Sequence, residues 1–540
     1  MSSMIVAPQP MAVEEGAKVL MDGGNAVDAA VTCAFVQSVV SPQMCGIGGY
    51  LILTLSLGPG HPNHSEPGFN ALDAPALAGS QVTPGMWEGI ALRPNPDGWG
   101  YFLQGKVNDI GYQSICVPGT VKGLAMMLER WGTISWQQAI APAARIAKDG
   151  FVVDAHLASG WKSKAAYPEA CSLLDRIAAN AEASRIYLKD SAPYELGDTL
   201  RNPAYARTLL YLAQRGADDF YHGQLARRMS ENLVANGSFV TADDLAGYQV
   251  REPHPLVGTY REYTIFTSPP PHGGPTLLAL LNILEGYDLA ALGHNSPEYI
   301  YRVSMAMKAA FADRNPHLGD PEYVHVPLRH MTSKERAEEW RRRIDGEQDI
   351  IVAFVPPEPP DTTHVSVVDE QDNCVSLTHS LGSSSGVITP GLGFMYNNSM
   401  VNFHPWPGHP NSIAAHKSRT TGMTPTIVYR DGRPLLVIGA PGATRIITSV
   451  AQVILNVLDF GMSISDAVLA PRFDCQGDLI KCQARIPEYA CAQVRAKHPI
   501  QRLPQSHGGL ALVHAIAIDP RTGELTGGAD SGSGGMALKV

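Results

Sequence analysis

The 540-residue sequence has no apolar run long enough to span a bilayer. Its first residues, MSSMIVAPQPMAVEEG, lack the charged segment followed by an apolar one that marks a secretory signal, so a cytoplasmic location is expected. No basic patch dominates a chain of net charge −10, which argues against a nucleic-acid partner. Its eight cysteines contain no Cys-x-x-Cys pair. Reduced, buried thiols follow, with Cys475 and Cys482 the pair that a hairpin would bring together. No internal repeat is visible. The glycine-rich stretches GIGG (46–49) and GAPGA (439–443) never reach GK[ST], which excludes a phosphate loop, and they read instead as tight turns or close backbone approaches. HPNH (61–64) and HPWPGH (404–409) lack the helical spacing of a zinc protease and have no cysteine nearby. Neither a metal nor a cofactor is expected.

What is present is a globular composition, 44% hydrophobic and 17% charged, in a chain longer than one core usually supports. Residues 12–40 read as two alanine-rich helices broken at Gly23-Gly24, with Asn25 as a cap. CGIGGYLILTLS (45–56) reads as a glycine turn entering a buried strand, and 58–70 and 93–100 as loops. Helical patterns run from Gly119 to about 240, then through 277–289, 297–314 and the charged 333–344, whose charges suit a solvated face. After Asp361 the texture turns to strands: THVSVVD, CVSLTHSL, TPTIVYRDGRPLLVIGAPG and ALVHAIAID, with helices at ITSVAQVILNVLDFG and SISDAVLAP. Helices and strands in blocks predict a layered α+β sandwich rather than a doubly wound sheet.

Two short motifs invite a nucleophile. GSSSG (382–386) matches G-x-S-x-G around Ser384, but Pro390 and nearby glycines deny it the helix a nucleophile elbow needs, so a polar loop is expected. SGWK (159–162) matches S-x-x-K, with no K-T-G companion. A third stretch, PPEPPDTTHVSVVD (356–369), runs a proline-rich linker into a strand. Were the chain cut between Asp361 and Thr362, the new α-amino group could deprotonate the Thr362 hydroxyl, its reference pKa of about 7.7–8.0 suiting a general base. The cut itself would come from attack of that hydroxyl on the Asp361 carbonyl, an N→O acyl shift, and hydrolysis of the ester.

TTHVSVVD (362–369), GAKVLMDGGNAVDAAVT (16–32), VPGTVKGL (117–124), PPPHGG (269–274), ADRNPHLGDPEYVHVPL (312–328), MTPTIV (423–428) and GAPGATRIITSVAQVILN (439–456) resemble, in order, segments of the γ-glutamyltranspeptidases. These are self-processing N-terminal-nucleophile hydrolases. The resemblance implies an αββα sandwich, a large subunit 1–361, a small subunit 362–540, and a heterodimer of the two, with pairing of such heterodimers left open. It implies Thr362 as nucleophile, Gly442 and Ala443 as backbone donors of an oxyanion hole, and Ser380 in place of a threonine that hydrogen-bonds the nucleophile.

The departures concern the substrate. Where the family carries an arginine that grips the glutamyl carboxylate, this chain reads Leu72-Asp73-Ala74-Pro75. Asn402 replaces the acidic partner of the substrate ammonium, Ser399 its companion, Thr421 and Gly422 the paired serines, and Gly382 an asparagine. Arg419 or Arg445 would have to take over the carboxylate. The expectation is a small-molecule amide hydrolase, or acyl transferase, whose acyl group is not a standard γ-glutamyl. The alternatives are a γ-glutamyltransferase or glutathione hydrolase with a rebuilt site, and an inactive binding subunit.

Overall fold

The computed structural model describes residues 2–64, 68–95, 100–165, 167–353 and 362–540. Twelve strands build its centre: β1 (Met4–Ala7), β2 (Tyr50–Ser56), β3 (Phe69–Ala74), β4 (Leu256–Tyr260), β5 (Tyr263–Thr267), β6 (Thr363–Val368), β7 (Cys374–Ser380), β8 (Thr426–Arg430), β9 (Arg433–Gly439), β10 (His514–Ile518), β11 (Leu525–Ala529) and β12 (Met536–Lys539). They form two six-stranded sheets, ordered β12-β1-β6-β7-β2-β3 and β4-β5-β8-β9-β10-β11. Every pairing within them is antiparallel.

Alternation explains the layering. In β6, Val365 and Val367 point outward into a core shared with α1 (Pro10–Met21) and α2 (Ala26–Val40). On the other face of β6, Val368 joins Met4, Val6, Phe266, Ile427, Val437 and Ile516, drawn from both sheets, in a second cluster between them. The outer face of the second sheet is covered by α3 (Gly274–Leu284), α4 (Pro297–His317) and α5 (Arg445–Leu458). The order is helix, sheet, sheet, helix, the αββα sandwich expected. Small residues bring the layers close: a Cβ on Gly16 of α1 would lie 2.5 Å from Ile5 Cδ1. Asn25 caps α2 through a reciprocal box with Asp28.

Three expectations shift at their edges. Strand β3 begins at Phe69, inside the loop drawn over 58–70, and a short strand Ala91–Pro94 pairs with Tyr101–Leu103 where 93–100 was read as loop. The helix read over 277–289 stops at Leu284, because Gly286 breaks it before Leu289 starts a separate turn. Cys482 does not face Cys475: the strand register sets it opposite Phe473, and its sulfur lies 3.7 Å from that of Cys491.

Three buried histidines lie near the start of β6, His364 and His514 between the sheets and His379 on the side of β7 that faces α2. His364 bridges Thr378 and Ser366 at 2.9 and 3.0 Å, His379 meets Gln37 Oε1 at 2.8 Å, and His514 offers its carbonyl to Ser366. Burial lowers the pKa of all three, His379 to about 3, His514 to about 4, and His364 well below 6.5, where His514 and His379 add to the effect. The unfolded chain therefore binds more protons than the folded one below pH 6.5. Their contribution to stability is complete above that pH and falls as pH drops toward 4. Denaturant titrations are expected to show stability falling between pH 7.5 and 4.5, by about 2–3 kcal/mol each for His379 and His514, and His379→Gln is expected to flatten that slope.

Candidate active site

Thr362 stands one residue before β6, 4% exposed. The register pairs Thr363 with His379, which sets Thr362 beside Ser380 at the end of β7. The Thr362 hydroxyl donates to Ser380 Oγ at 3.1 Å, and the same oxygen accepts the Gly382 amide at 2.8 Å. Behind this pair lies Gln37 of α2, whose amide donates to Gln9 Oε1 at 2.7 Å and Thr363 Oγ1 at 3.0 Å while its Oε1 meets His379. A fully buried glutamine thus ties together the two residues that flank Thr362 and Ser380. Asp361, the other half of the expected cut, lies outside the described residues.

Gly442 and Ala443 form the turn from β9 into α5. Gly442 has φ +139, and a Cβ there would sit 2.5 Å from both Cα and Cβ of Ala511. Ala443 holds φ +61, a left-handed conformation that costs an alanine roughly 1–2 kcal/mol. Both residues precede the positive end of a 14-residue helix, so their amides lie in a field that favours an anion. Two close approaches hold this segment, one to β6 and one to the loop before β8. A Cβ on Gly439 would lie 2.3 Å from His364 Cε1, and one on Gly422 would lie 2.3 Å from the Ala443 carbonyl oxygen.

Ser399 and Asn402 occupy a buried 3-10 turn, and Ser399 Oγ and both amide atoms of Asn402 have no hydrogen-bond partner among the described residues. Asn397 holds this turn through the Ser399 amide at 3.1 Å and the Gly48 and Cys116 carbonyls at 2.9 Å. Thr421 Oγ1 meets His272 Nδ1 at 2.7 Å, and His272 Nε2 lies 3.1 Å from Asp73 Oδ1. Sequence reasoning missed this buried Asp73–His272–Thr421 array, although PPPHGG and LDAP had both been singled out; a histidine at the mouth of an apolar helix was the available signal. At Gly382 (φ +74) an added Cβ would lie 2.4 Å from Asn398 Oδ1, so the carboxamide at this corner belongs to Asn398.

The two arginines part company. Arg419 is buried, its guanidinium 4.8 Å from the Tyr50 ring centre and bonded to the Tyr50 hydroxyl and the Thr420 carbonyl. Tyr50 is the cross-strand partner of Ser380, which puts Arg419 one strand from the Thr362 pair. Arg445 instead opens α5, donates to the Gly509 carbonyl at 2.9 Å, and lines a cavity of about 760 Å³. Gln43, Met44, Ser383, Val401 and Gly442 also line that cavity; Ser399, Asn402, Thr421 and Gly422 do not. Pro75 contributes only a carbonyl, which accepts the Tyr248 hydroxyl at 2.8 Å.

The competing motifs fall away from this centre. Ser384 is fully buried at φ +58 in a loop with no helix after it, as expected of GSSSG. Ser159 bonds the His156 carbonyl, and Lys162 pairs with Glu195 at 3.0 Å, so SGWK is no Ser–Lys dyad. His404 and His409 stack on each other at 4.4 Å. Among the described residues no three His, Cys, Asp or Glu side chains gather as a metal site, and no helix is long and apolar enough to cross a membrane.

Ser380→Ala is expected to slow any chemistry begun by the Thr362 hydroxyl about tenfold, since it removes one buried hydrogen bond and orphans the Gly382 amide; Ser380→Thr is expected to retain the rate. A time course of chain cleavage on a denaturing gel checks both.

Comparison with known proteins gives a consistent result. Residues 12–540 match the family model described as gamma-glutamyltranspeptidase. The chain is 35% identical over 532 residues to the acylase ACY 1 proenzyme of Pseudomonas sp. (strain V22), covering 97% of this chain and 91% of that one. It is 31% identical over 549 residues to the glutathione hydrolase proenzyme of Escherichia coli (strain K12), covering 98% and 90%. The crystal structure of cephalosporin acylase from Bacillus halodurans superposes with a TM-score of 0.86 at 25% identity, over 99% of this chain and 95% of that one.

Proposed function

The chain belongs to the gamma-glutamyltranspeptidase family, and from that premise we propose that it is a self-cleaving amidohydrolase in which Thr362 is the nucleophile. The observation that carries this reading is the buried hydrogen bond from the Thr362 hydroxyl to Ser380, at the point where a strand follows the proline-rich segment. Attack of Thr362 Oγ1 on the Asp361 carbonyl breaks the C–N bond, gives an ester and frees the Thr362 amine; water then hydrolyses the ester. Fragments 1–361 and 362–540 stay joined because β6 and β7 of the second lie between β1 and β2 of the first in one hydrogen-bonded sheet.

In turnover the freed amine takes the hydroxyl proton as Oγ1 attacks the substrate amide. The amides of Gly442 and Ala443 receive the developing oxyanion, and the protonated amine hands its proton to the departing nitrogen. Water, activated by the same amine, attacks the Thr362 ester and releases the acid. The base is then restored.

For the acyl group, the buried partnerless atoms of Ser399 and Asn402 favour a neutral polar group. A substrate ammonium would meet a carboxamide where it needs a carboxylate. The acyl group is therefore one other than γ-glutamyl, which agrees with the acylase relatives. The glutathione hydrolase reading is favoured by Arg419, a buried guanidinium one strand from Ser380. A set of 4-nitroanilides with acetyl, succinyl, glutaryl and γ-glutamyl acyl groups separates the two. Release from one of the first three, at least about tenfold faster than from the γ-glutamyl compound, is the expected result; the reverse order would replace this acyl assignment with the rival.

A further inference from the structure

Self-cleavage would turn the start of β6 into a chain end, and a chain end frays unless something holds it. The ladder holds this one on one side only. Thr363, His364 and Val365 pair with His379, Thr378 and Leu377 of β7, whereas β1 pairs with β6 only over Ser366, Val367 and Val368. Strand β1 stops at Ala7, because the next residue, Pro8, has no amide to offer a ladder. Two glutamine side chains stand where β1 leaves off. Gln37 Nε2 donates to the His364 carbonyl at 3.3 Å, to Thr363 Oγ1 at 3.0 Å and to Gln9 Oε1 at 2.7 Å. The Thr363 hydroxyl donates to the same Gln9 oxygen at 3.0 Å, and Gln37 Oε1, which can only accept, accepts from His379 Nε2 at 2.8 Å.

Apolar side chains would serve packing alone better. The surrounding core of α2, β6 and β7 is built from residues such as Val36, Val365, Val367, Val375 and Leu377, and a buried amide lowers stability unless its groups are bonded. Gln9, Gln37, Thr363 and His379 are all buried, and each is bonded within the group. The bonds converge on Thr363 and His379, the residues next to Thr362 and Ser380, and both glutamines belong to residues 1–361. We infer that Gln9 and Gln37 are positioning residues, a side-chain clamp supplied by the large fragment that holds the new amino-terminal end of the small one, so that Thr362 stays against Ser380 after the cut. The inference rests on the self-cleaving amidohydrolase reading above and adds what keeps its nucleophile in place. Before the cut, chain on both sides of Thr362 limits its motion; afterwards only the Thr363 side does. A shift of about 1 Å in a reacting group can cost about a hundredfold in rate, so the clamp matters to turnover far more than to cleavage.

The test sets Gln37→Leu beside Thr363→Val, which removes one hydroxyl at nearly constant shape and covers the case in which the first variant folds poorly. Both are expected to split at close to the parent rate on a denaturing gel. Once split, both are expected to hydrolyse the 4-nitroanilide that the parent turns over with kcat lowered about tenfold and KM little changed, and Thr363→Ser is expected to restore the rate. Amide hydrogen exchange of the segment 363–368, read by mass spectrometry, is expected to rise about tenfold or more in split Gln37→Leu. It is expected to stay as in the parent when Gln37→Leu is placed in an unsplit Thr362→Ala chain. A glutamine that only packs would loosen split and unsplit chains alike, or leave kcat per folded enzyme unchanged, and either result would overturn the clamp. A parent that splits and turns over, with a Gln37→Leu variant that exchanges and turns over as it does, removes the clamp and leaves the amidohydrolase reading standing. A parent that never splits removes both.

Discussion

Thr362→Ala is expected to leave a single full-length chain and no measurable amide hydrolysis, a loss of more than about a thousandfold. The hydroxyl has two duties in the account, and alanine cannot perform either. It cannot attack the Asp361 carbonyl, so no new terminus forms; without that terminus no α-amine exists to serve as base. The fold should be little affected, because Thr362 precedes β6 and, among the described residues, its side chain bonds Ser380 alone. Thr362→Ser is expected to restore both cleavage and turnover, more slowly. A Thr362→Ala protein that still splits before residue 362, or that hydrolyses amides, removes Thr362 from its assigned role.

The second large effect is expected at Gly442. At φ +139 an L-residue is strained, and the added Cβ would lie 2.5 Å from the Ala511 backbone, a contact that only a shift of the turn can relieve. That shift moves the amides of residues 442 and 443 off the position the oxyanion must occupy. Gly442→Ala is therefore expected to lower kcat by about 10²–10³ with a much smaller change in KM, the loss seen when one oxyanion donor is removed. Ala443→Gly, which relaxes the left-handed alanine without adding an atom, is expected to keep activity. A Gly442→Ala enzyme with unchanged kcat would place the oxyanion donors elsewhere.

Much of this architecture is legible in the sequence because its causes are local. The alternation of HVSV sends Val365 and Val367 to the helices and His364 and Ser366 to the sandwich interior, and Asn25 with Asp28 announces the start of α2. The Thr362–Ser380 pair is legible only through family likeness: strand pairing brings together residues 18 apart, and nothing local fixes that register. The Asp73–His272–Thr421 array is less legible still, since it joins three segments that the chain separates widely and that only the packed sheets unite. Gln37 reads as an ordinary polar residue on an apolar helix until β6 and β7 are laid against it.

Intact-mass analysis of the purified, active protein, with N-terminal sequencing of the smaller species, tests the central claim most directly. The account predicts two species corresponding to residues 1–361 and 362–540, the second beginning Thr-Thr-His. An active protein made only of unsplit chain, or one cut at another bond, would contradict it.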